Sequence, residues 1–212
     1  MTKESMSIHK ALSELKIIED RINKAKLAIT FATANKASNS KISGMSIEEF
    51  KKNMVARYQA LNDIVSRRDA IKRAVLISNA TTTVNIAGKD FTVAEAIDMH
   101  NCGIEIKASI MNLMASQYNR EKNKVDVFNQ NDLQELADKH TTAMFSSKES
   151  ANADAIKKTR EDYIANNTLV LIDPIGADDE IARLEKYISD FKVEVDAALS
   201  VSNAITNIEI SY

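Results

Sequence analysis

Apolar side chains recur every three or four residues along four long segments, and this spacing constrains the fold more than any other feature of the chain. The segments begin near Ser7, Ser46, Thr92 and Asp178. Residues spaced in this way share one face of an α-helix, and a heptad-like stripe of them packs against another helix. Only one proline and four glycines interrupt the 212 residues, so the helices can be long. We predict a mainly α-helical fold, a bundle of long antiparallel helices with coiled-coil-like seams.

Each segment defines one helix and its buried face. We expect helices from Ser7 to about Ala34, from Ser46 to about Asn79, from Thr92 to about Lys124 and from Asp178 to about Ala204. Their apolar seams are, in order, Ile8, Leu12, Leu15, Ile18, Ile22, Ala25 and Ile29; Ile47, Phe50, Met54, Leu61, Ile64, Ile71 and Val75; Ile97, Ile104, Met111 and Tyr118; and Ile181, Leu184, Ile188, Phe191, Val195, Leu199 and Ser202.

Two of these helices begin with a capping box. Ser46 stands three residues before Glu49, and Thr92 stands three residues before Glu95. In this arrangement each side chain satisfies a backbone N–H of the other residue, which fixes the start of a helix. The starts of the second and third helices are therefore predicted at Ser46 and Thr92.

Short strands are expected where β-branched residues alternate with polar ones. Thr82, Val84 and Ile86 alternate in this way before a turn at residues 87–90, and Ile208 and Ile210 alternate at the end of the printed sequence. The apolar run 168–172 is typical of a buried strand.

Two segments of the chain resemble each other. Ser78–Ile86 and Ser202–Ile210 both contain Ser-Asn-Ala at the end of a long helix and continue as an alternating strand. We infer equivalent helix-to-strand corners. We also expect their strands to be neighbours in a small two- or three-stranded sheet, with 168–172 as the third strand.

The chain is expected to form a single helical domain over residues 1–212. Residues 129–167 carry the least regular pattern, with one or two helices and a break near Ser146 and Ser147. Their many Ser, Lys, Glu, Asn and Asp side chains favour water. We therefore predict a protruding or mobile lobe at 129–167.

Charge is distributed unevenly along the chain. Residues 1–125 hold 20 Lys and Arg against 13 Asp and Glu, whereas residues 126–212 hold 8 against 17. The two surfaces either face water and each other within one bundle or drive head-to-tail association of copies, because opposite patches steer encounter. The basic residues are dispersed and lack interleaved aromatics, so no nucleic-acid partner is predicted.

Other features bear on the compartment. No stretch approaches 18 uninterrupted apolar residues, and no basic region followed by an apolar run begins the sequence. These features predict neither a membrane span nor a secretory signal. A single cysteine suits a reducing compartment. We expect a cytoplasmic protein, found in the host cytoplasm or the virion if a phage encodes it.

The chain shows no pattern of catalytic, metal-binding or cofactor-binding residues. His9, His100 and His140 lie far apart, and no glycines cluster around a phosphate loop. Cys102 has no indicated base or oxyanion site and is predicted to be a small buried residue. The expectation is a protein that is not an enzyme, without metal or cofactor.

Four arginines on the second helix form the one candidate binding site, and they are Arg57, Arg67, Arg68 and Arg73. Two interpretations of them stay open. Long cations beside an apolar seam can lay their stems on it and direct their charge outward. Alternatively, the four guanidinium groups bind a small anionic ligand.

The region around the first corner resembles a known family. Asn79, Thr82, Val84, Gly88, Thr92 and Ala96 stand there between long helices. This pattern, over about residues 55–115, is similar to an uncharacterised, septicolysin-like helical family of bacteria and their phages. Asp98 and Met99 replace the Arg-Asp pair that the family has after the turn. The resemblance implies a helical fold and a bacterial or phage origin, and it implies no activity.

Two functional hypotheses follow. The first is a non-enzymatic, homo-oligomerising helical protein, such as a phage virion or assembly component. The alternative is a binding module that sequesters a small anionic or nucleotide ligand through the four arginines, as in phage counter-defence.

Overall fold

A computed structural model describes residues 3–145 and 152–212 of the chain. The helices are α1 (Ile8–Leu27), α2 (Ile47–Thr81), α3 (Val93–Asp98), α4 (Ile104–Val127), α5 (Leu133–Phe145), α6 (Ala153–Asn167) and α7 (Ala177–Ile205). The strands are β1 (Lys3–Ser7), β2 (Lys41–Ile42), β3 (Met45–Ser46), β4 (Thr83–Ile86), β5 (Lys89–Thr92) and β6 (Asn207–Ser211). The prediction of a mainly α-helical fold with a small β component is confirmed.

The chain divides into two compact units. The first contains residues 3–101 and 190–212, and the second contains the described part of Cys102–Ser189. Helical conformation continues in the chain from Val93 to Phe145, because π-helical turns at Met99–Gly103 and Phe128–Asp132 join α3, α4 and α5. The single domain over 1–212 stays a prediction.

The predicted helix starts agree with the structure. The Ser7 hydroxyl accepts the Lys10 N–H at 3.2 Å, and the Ser46 hydroxyl accepts the Glu49 N–H at 3.2 Å. Thr92 forms a complete capping box, since the Glu95 carboxylate also accepts the backbone N–H of Thr92 at 2.7 Å. That backbone hydrogen bond holds the pKa of Glu95 below its ordinary value.

The first helix is shorter than predicted. It ends at Leu27 instead of Ala34, and the N–H of Ala28 closes it on the Lys24 and Ala25 carbonyls. The side chain of Asn35 organises the loop that follows, because its Oδ1 accepts the Lys36 N–H at 3.0 Å. Ile29 therefore lies beyond the end of α1, and it is only partly buried.

The two corners are built alike, as their sequences predicted. At the first, the N–H of Thr82 donates to the Ser78 carbonyl at 2.8 Å; at the second, Thr206 donates to Ser202 at 3.0 Å. The following bond is also repeated: the Thr82 carbonyl accepts the N–H of Val93 at 2.9 Å, and the Thr206 carbonyl accepts that of Ile8 at 3.0 Å. Each corner therefore joins a helix, an antiparallel two-stranded ribbon and the start of another helix.

The predicted pairing of the two corner strands is wrong. Strand β4 pairs with β5, and β6 pairs with β1, in two separate two-stranded sheets. Ala87 and Gly88 have φ of 51° and 71°, so the chain reverses within two residues. Lys89 and Asp90 thereby belong to β5 and not to a four-residue turn. Strand β1 was not predicted, because Met6 is its one apolar residue.

The core of the first unit lies between α1, α2 and the β1–β6 ribbon. Helices α1 and α2 run antiparallel, since Glu14 contacts Arg67 while Ala28 contacts Arg57. The buried residues of this core are Met6, Ile8, Ala11, Leu15, Ile18, Ile71, Val75, Ile208 and Ile210. Most of them belong to the predicted seams and the predicted final strand.

The second unit contains an α5–α6 pair. Arg160 binds Asp138 at 2.6 Å and Gln134 at 2.9 Å, and the rings of His140 and Tyr163 stack with centroids 4.6 Å apart. The break predicted near residues 146–147 lies outside the described residues. Mobility or protrusion of 129–167 stays a prediction.

The apolar run 168–172 is not a buried strand. It forms neither a helix nor a β-strand, and it lies beside Glu121, Lys124 and Val125 of α4. The side chains of Val170 and Ile172 are 78% and 86% exposed. Apolar composition predicted burial here, but no strand in residues 3–145 and 152–212 pairs with the run.

Candidate functional site

Arg67 is the centre of a charged cluster in the first unit. Its guanidinium binds both oxygens of the Glu14 carboxylate, at 2.5 and 3.1 Å, and binds Glu4 at 2.9 Å. It also donates to the Tyr212 hydroxyl and lies 4.9 Å from the centre of that ring. The cluster thus ties α2 to α1, to β1 and to Tyr212 after β6.

The pKa values of the cluster follow from these contacts. The hydrogen bond to Glu14 is the largest cause that raises the pKa of Arg67, and the bond to Glu4 adds to it. The hydrogen bond from Arg67 lowers the pKa of Glu4 below 4.5. Arg67 is therefore permanently charged and is matched by two carboxylates of its own chain.

The four predicted arginines do not converge. Arg57 donates to the Ala28 carbonyl, and Arg68 binds Asp69 at 2.8 Å. Arg57 lies about 15 Å along the helix axis from Arg67, and Arg73 points about 120° away from Arg67 around the axis. Three of the four hold groups of their own chain, and an anion site formed by all four together stays a prediction.

Removal of the Arg67 charge should destabilise the first unit. We expect Arg67→Gln to lower the free energy of unfolding by about 2 kcal/mol, because hydrogen bonds to charged groups contribute about 1.5–3 kcal/mol. Arg73→Gln is the matched control, since Arg73 is exposed on the same helix, and it should change stability by less than about 0.5 kcal/mol. Urea unfolding followed by circular dichroism measures both.

The stability of the same two variants should depend differently on pH. The folded-state pKa of Glu4 lies below 4.5, so its stabilising contribution is present above that pH and is lost as pH falls through the folded value. The wild-type protein and Arg73→Gln should therefore lose stability more steeply in acid than Arg67→Gln. Equal acid slopes in all three proteins would contradict the assigned Arg67–Glu4 bond.

Other reactive groups are dispersed. No group of three or more His, Cys, Asp or Glu side chains within residues 3–145 and 152–212 could hold a metal ion. Cys102 is exposed on the first π-helical turn, so the prediction of a buried cysteine is wrong. His100 Nε2 lies 4.0 Å from the Asp196 carboxylate at an exposed position.

Helix α7 carries a second apolar face that its seam did not predict. Val193, Ala197, Val201 and Ile205 recur every four residues and form a ridge, which we call the α7 ridge. Its three large side chains are 59–76% exposed. Val193 lies about 200° around the helix from the buried Phe191, and the later ridge positions turn toward the buried side, so that Ile205 lies about 40° from Phe191.

The α7 ridge borders a groove in the first unit. A groove of about 430 Å³ lies between Thr82–Asn85 and the end of α7, including Val201 and Ile205. The four-residue spacing could have identified this surface, although no sequence signal separates an exposed ridge from a buried one.

The second unit has a comparable face on α4. Ile106, Ile110 and Leu113 follow the spacing four and three, and all three are exposed. Such a row is a heptad-like stripe, here without a covering helix among the described residues.

The helices and the comparisons with known proteins give two further findings. None of the helices in the described ranges combines the length and apolar character that crossing a membrane requires. No protein-family model, curated protein or solved structure matches the chain.

Proposed function

We propose that the protein is a non-enzymatic helical component that assembles with copies of itself. The exposed α7 ridge carries this proposal. Contiguous apolar surface on a folded chain is unfavourable in water, and it marks an interaction surface when its residues form one patch. The ridge supplies four such positions along three turns of one helix.

A second copy of the chain fits the ridge. Ridges formed by residues four apart interdigitate when two helices cross at about −50°. Ala197 lies within the ridge, and its small side chain allows the two helix axes to approach. A contact of one surface with itself about a two-fold axis is also the commonest geometry among homo-oligomers.

The biological setting is a further proposal. A role in a phage virion or its assembly comes from the family resemblance and is supported here by the assembly surface alone. The uneven charge of the chain is compatible with further contacts between copies.

Val201→Lys should weaken self-association. The valine is half exposed in the single chain, and the contact buries one valine from each copy. Because burial of such a side chain contributes about 1.5–3 kcal/mol, the dissociation constant should rise by roughly 100-fold. Sedimentation velocity across micromolar concentrations measures the change.

The control is Ile17→Lys, which places the same charge at an exposed isoleucine of α1. It should leave the association unchanged. A wild-type protein that stays monomeric at every concentration would contradict the proposal. Equal weakening of self-association by the two lysine variants would also contradict it.

A further inference from the structure

The segment between α6 and α7 is an exposed, uncharged run in the second unit. It leaves α6 at Thr168, which caps that helix, and α7 begins at Ala177. No charged residue occurs between Asp162 and Asp173. Leu169, Val170, Leu171 and Ile172 stand within it, and we call these four residues the 169–172 segment.

Asn129 holds the start of this segment in extended conformation. Its Nδ2 donates to the Leu169 carbonyl at 2.8 Å, and its Oδ1 accepts the Leu169 N–H at 2.9 Å. The N–H and C=O of one residue point to the same side only when the backbone is extended. The amide of Asn129 therefore acts as a neighbouring strand would.

This contact determines the free edge of the segment. Successive residues of an extended chain direct their polar groups to opposite sides. Since Leu169 faces Asn129, Val170 and Ile172 direct their N–H and C=O groups away from it. Within residues 3–145 and 152–212, no protein group bonds to the backbone of Val170 or Ile172. Their side chains are also the most exposed of the segment.

We propose that the 169–172 segment pairs antiparallel with the same segment of a second copy, about a two-fold axis at Leu171. This inference rests on the proposed self-association and names one of its contacts. Val170 of each copy stands opposite Ile172 of the other, and each such pair exchanges two backbone hydrogen bonds. The pairing satisfies a free strand edge that is otherwise an aggregation hazard.

The segment is complementary to itself. Because one edge meets an identical edge, the two-fold arrangement is antiparallel, and every group that lacks a partner in one copy finds one in the other. The antiparallel register sets Asp173 opposite Leu169, whereas a parallel register would set the two Asp173 carboxylates side by side. Pro174 ends the ladder directly afterwards.

A cysteine at the proposed axis tests the pairing. Residues opposite each other in a non-hydrogen-bonded antiparallel pair have Cα atoms about 4.5 Å apart, within the range that a disulfide spans. In a Cys102→Ser background, Leu171→Cys should form a disulfide-linked dimer in a glutathione redox buffer. The matched control is Ile175→Cys, at a 63% exposed position beyond the segment, and it should cross-link at least tenfold more slowly.

A second variant tests the proposed backbone hydrogen bonds between the two copies. Val170→Pro removes a donor on the free edge, and it should reduce the mass of the assembly in sedimentation while circular dichroism stays unchanged. Equal cross-linking of the two cysteine variants, in a Cys102→Ser protein that still associates, would overturn the strand pairing and leave the α7 ridge proposal intact. A monomeric wild type would overturn both proposals.

Discussion

Replacement of Ile210 by asparagine should lower the free energy of unfolding by about 4 kcal/mol. Ile210 is 3% exposed and lies in the core between α1, α2 and the β1–β6 ribbon. The variant loses the transfer free energy of an isoleucine, about 1.5–3 kcal/mol, and buries an amide without partners, which costs about 1–3 kcal/mol. That total approaches the whole stability of a typical small domain. Chemical denaturation followed by circular dichroism measures it.

The neighbouring residue provides the control for this prediction. Glu209 lies on the opposite, exposed face of the same strand, because successive side chains of a strand alternate between faces. Glu209→Asn should therefore change stability by less than about 0.5 kcal/mol. If the two asparagine variants were equally unstable, the register of β6 on the core would be wrong.

The sequence predicted the helix starts well because their signals are local. A hydroxyl at Ser46 or Thr92, followed three residues later by Glu, starts a helix through contacts within one turn. The buried seam residues Leu61, Ile71 and Val75 follow from the spacing of the second helix. Such features depend on neighbours within a few positions, so a linear reading can find them.

The strand partners could not be predicted in the same way. The pairing of β6 with β1 joins residues about 200 positions apart, and β1 carries one apolar residue, so nothing local indicates it. The matching Ser-Asn-Ala tripeptides correctly indicated two equivalent corners. Similar sequences implied similar conformations, but conformation alone does not specify which strands are neighbours.

The arginines and the assembly surface show the same limit. Four cations on one helix indicate an anion site only when their side chains converge, and convergence depends on partners from elsewhere in the chain. Arg67 forms ion pairs with Glu4 of β1 and Glu14 of α1. The α7 ridge has a seam-like spacing, and only the three-dimensional structure distinguishes it from the buried side of the same helix.

The proposed assembly contains two distinct self-contacts. The α7 ridge belongs to the first unit, and the 169–172 segment belongs to the second. A chain with one two-fold contact stops at a dimer. A chain with two different two-fold contacts continues to add copies until the arrangement closes into a ring or extends as an open array. This property suits a structural component.

Truncation of Phe191 to alanine should lower the free energy of unfolding by about 3–5 kcal/mol. Its side chain is fully buried, and its ring meets that of Phe91 edge to face with centroids 5.8 Å apart. Buried Phe→Ala changes cost this much because they combine lost transfer free energy with a cavity. Calorimetry or urea unfolding measures the loss.

The same chemical change at an exposed phenylalanine is the control for Phe191→Ala. Phe31 also has an edge-to-face partner, Tyr58 at 6.2 Å, but it lies in the exposed loop after α1. Phe31→Ala should cost less than about 1 kcal/mol, since an aromatic pair contributes about 0.5–1.5 kcal/mol beyond its burial.

Arg67 and Phe191 occupy equivalent positions before the two corners. Arg67 stands 11 residues before Ser78, and Phe191 stands 11 residues before Ser202. Arg67 connects α2 to other elements through ion pairs and hydrogen bonds, whereas Phe191 is buried and packs against Phe91. A larger loss of unfolding free energy in Arg67→Gln than in Phe191→Ala would contradict the expectation that the apolar contact contributes more.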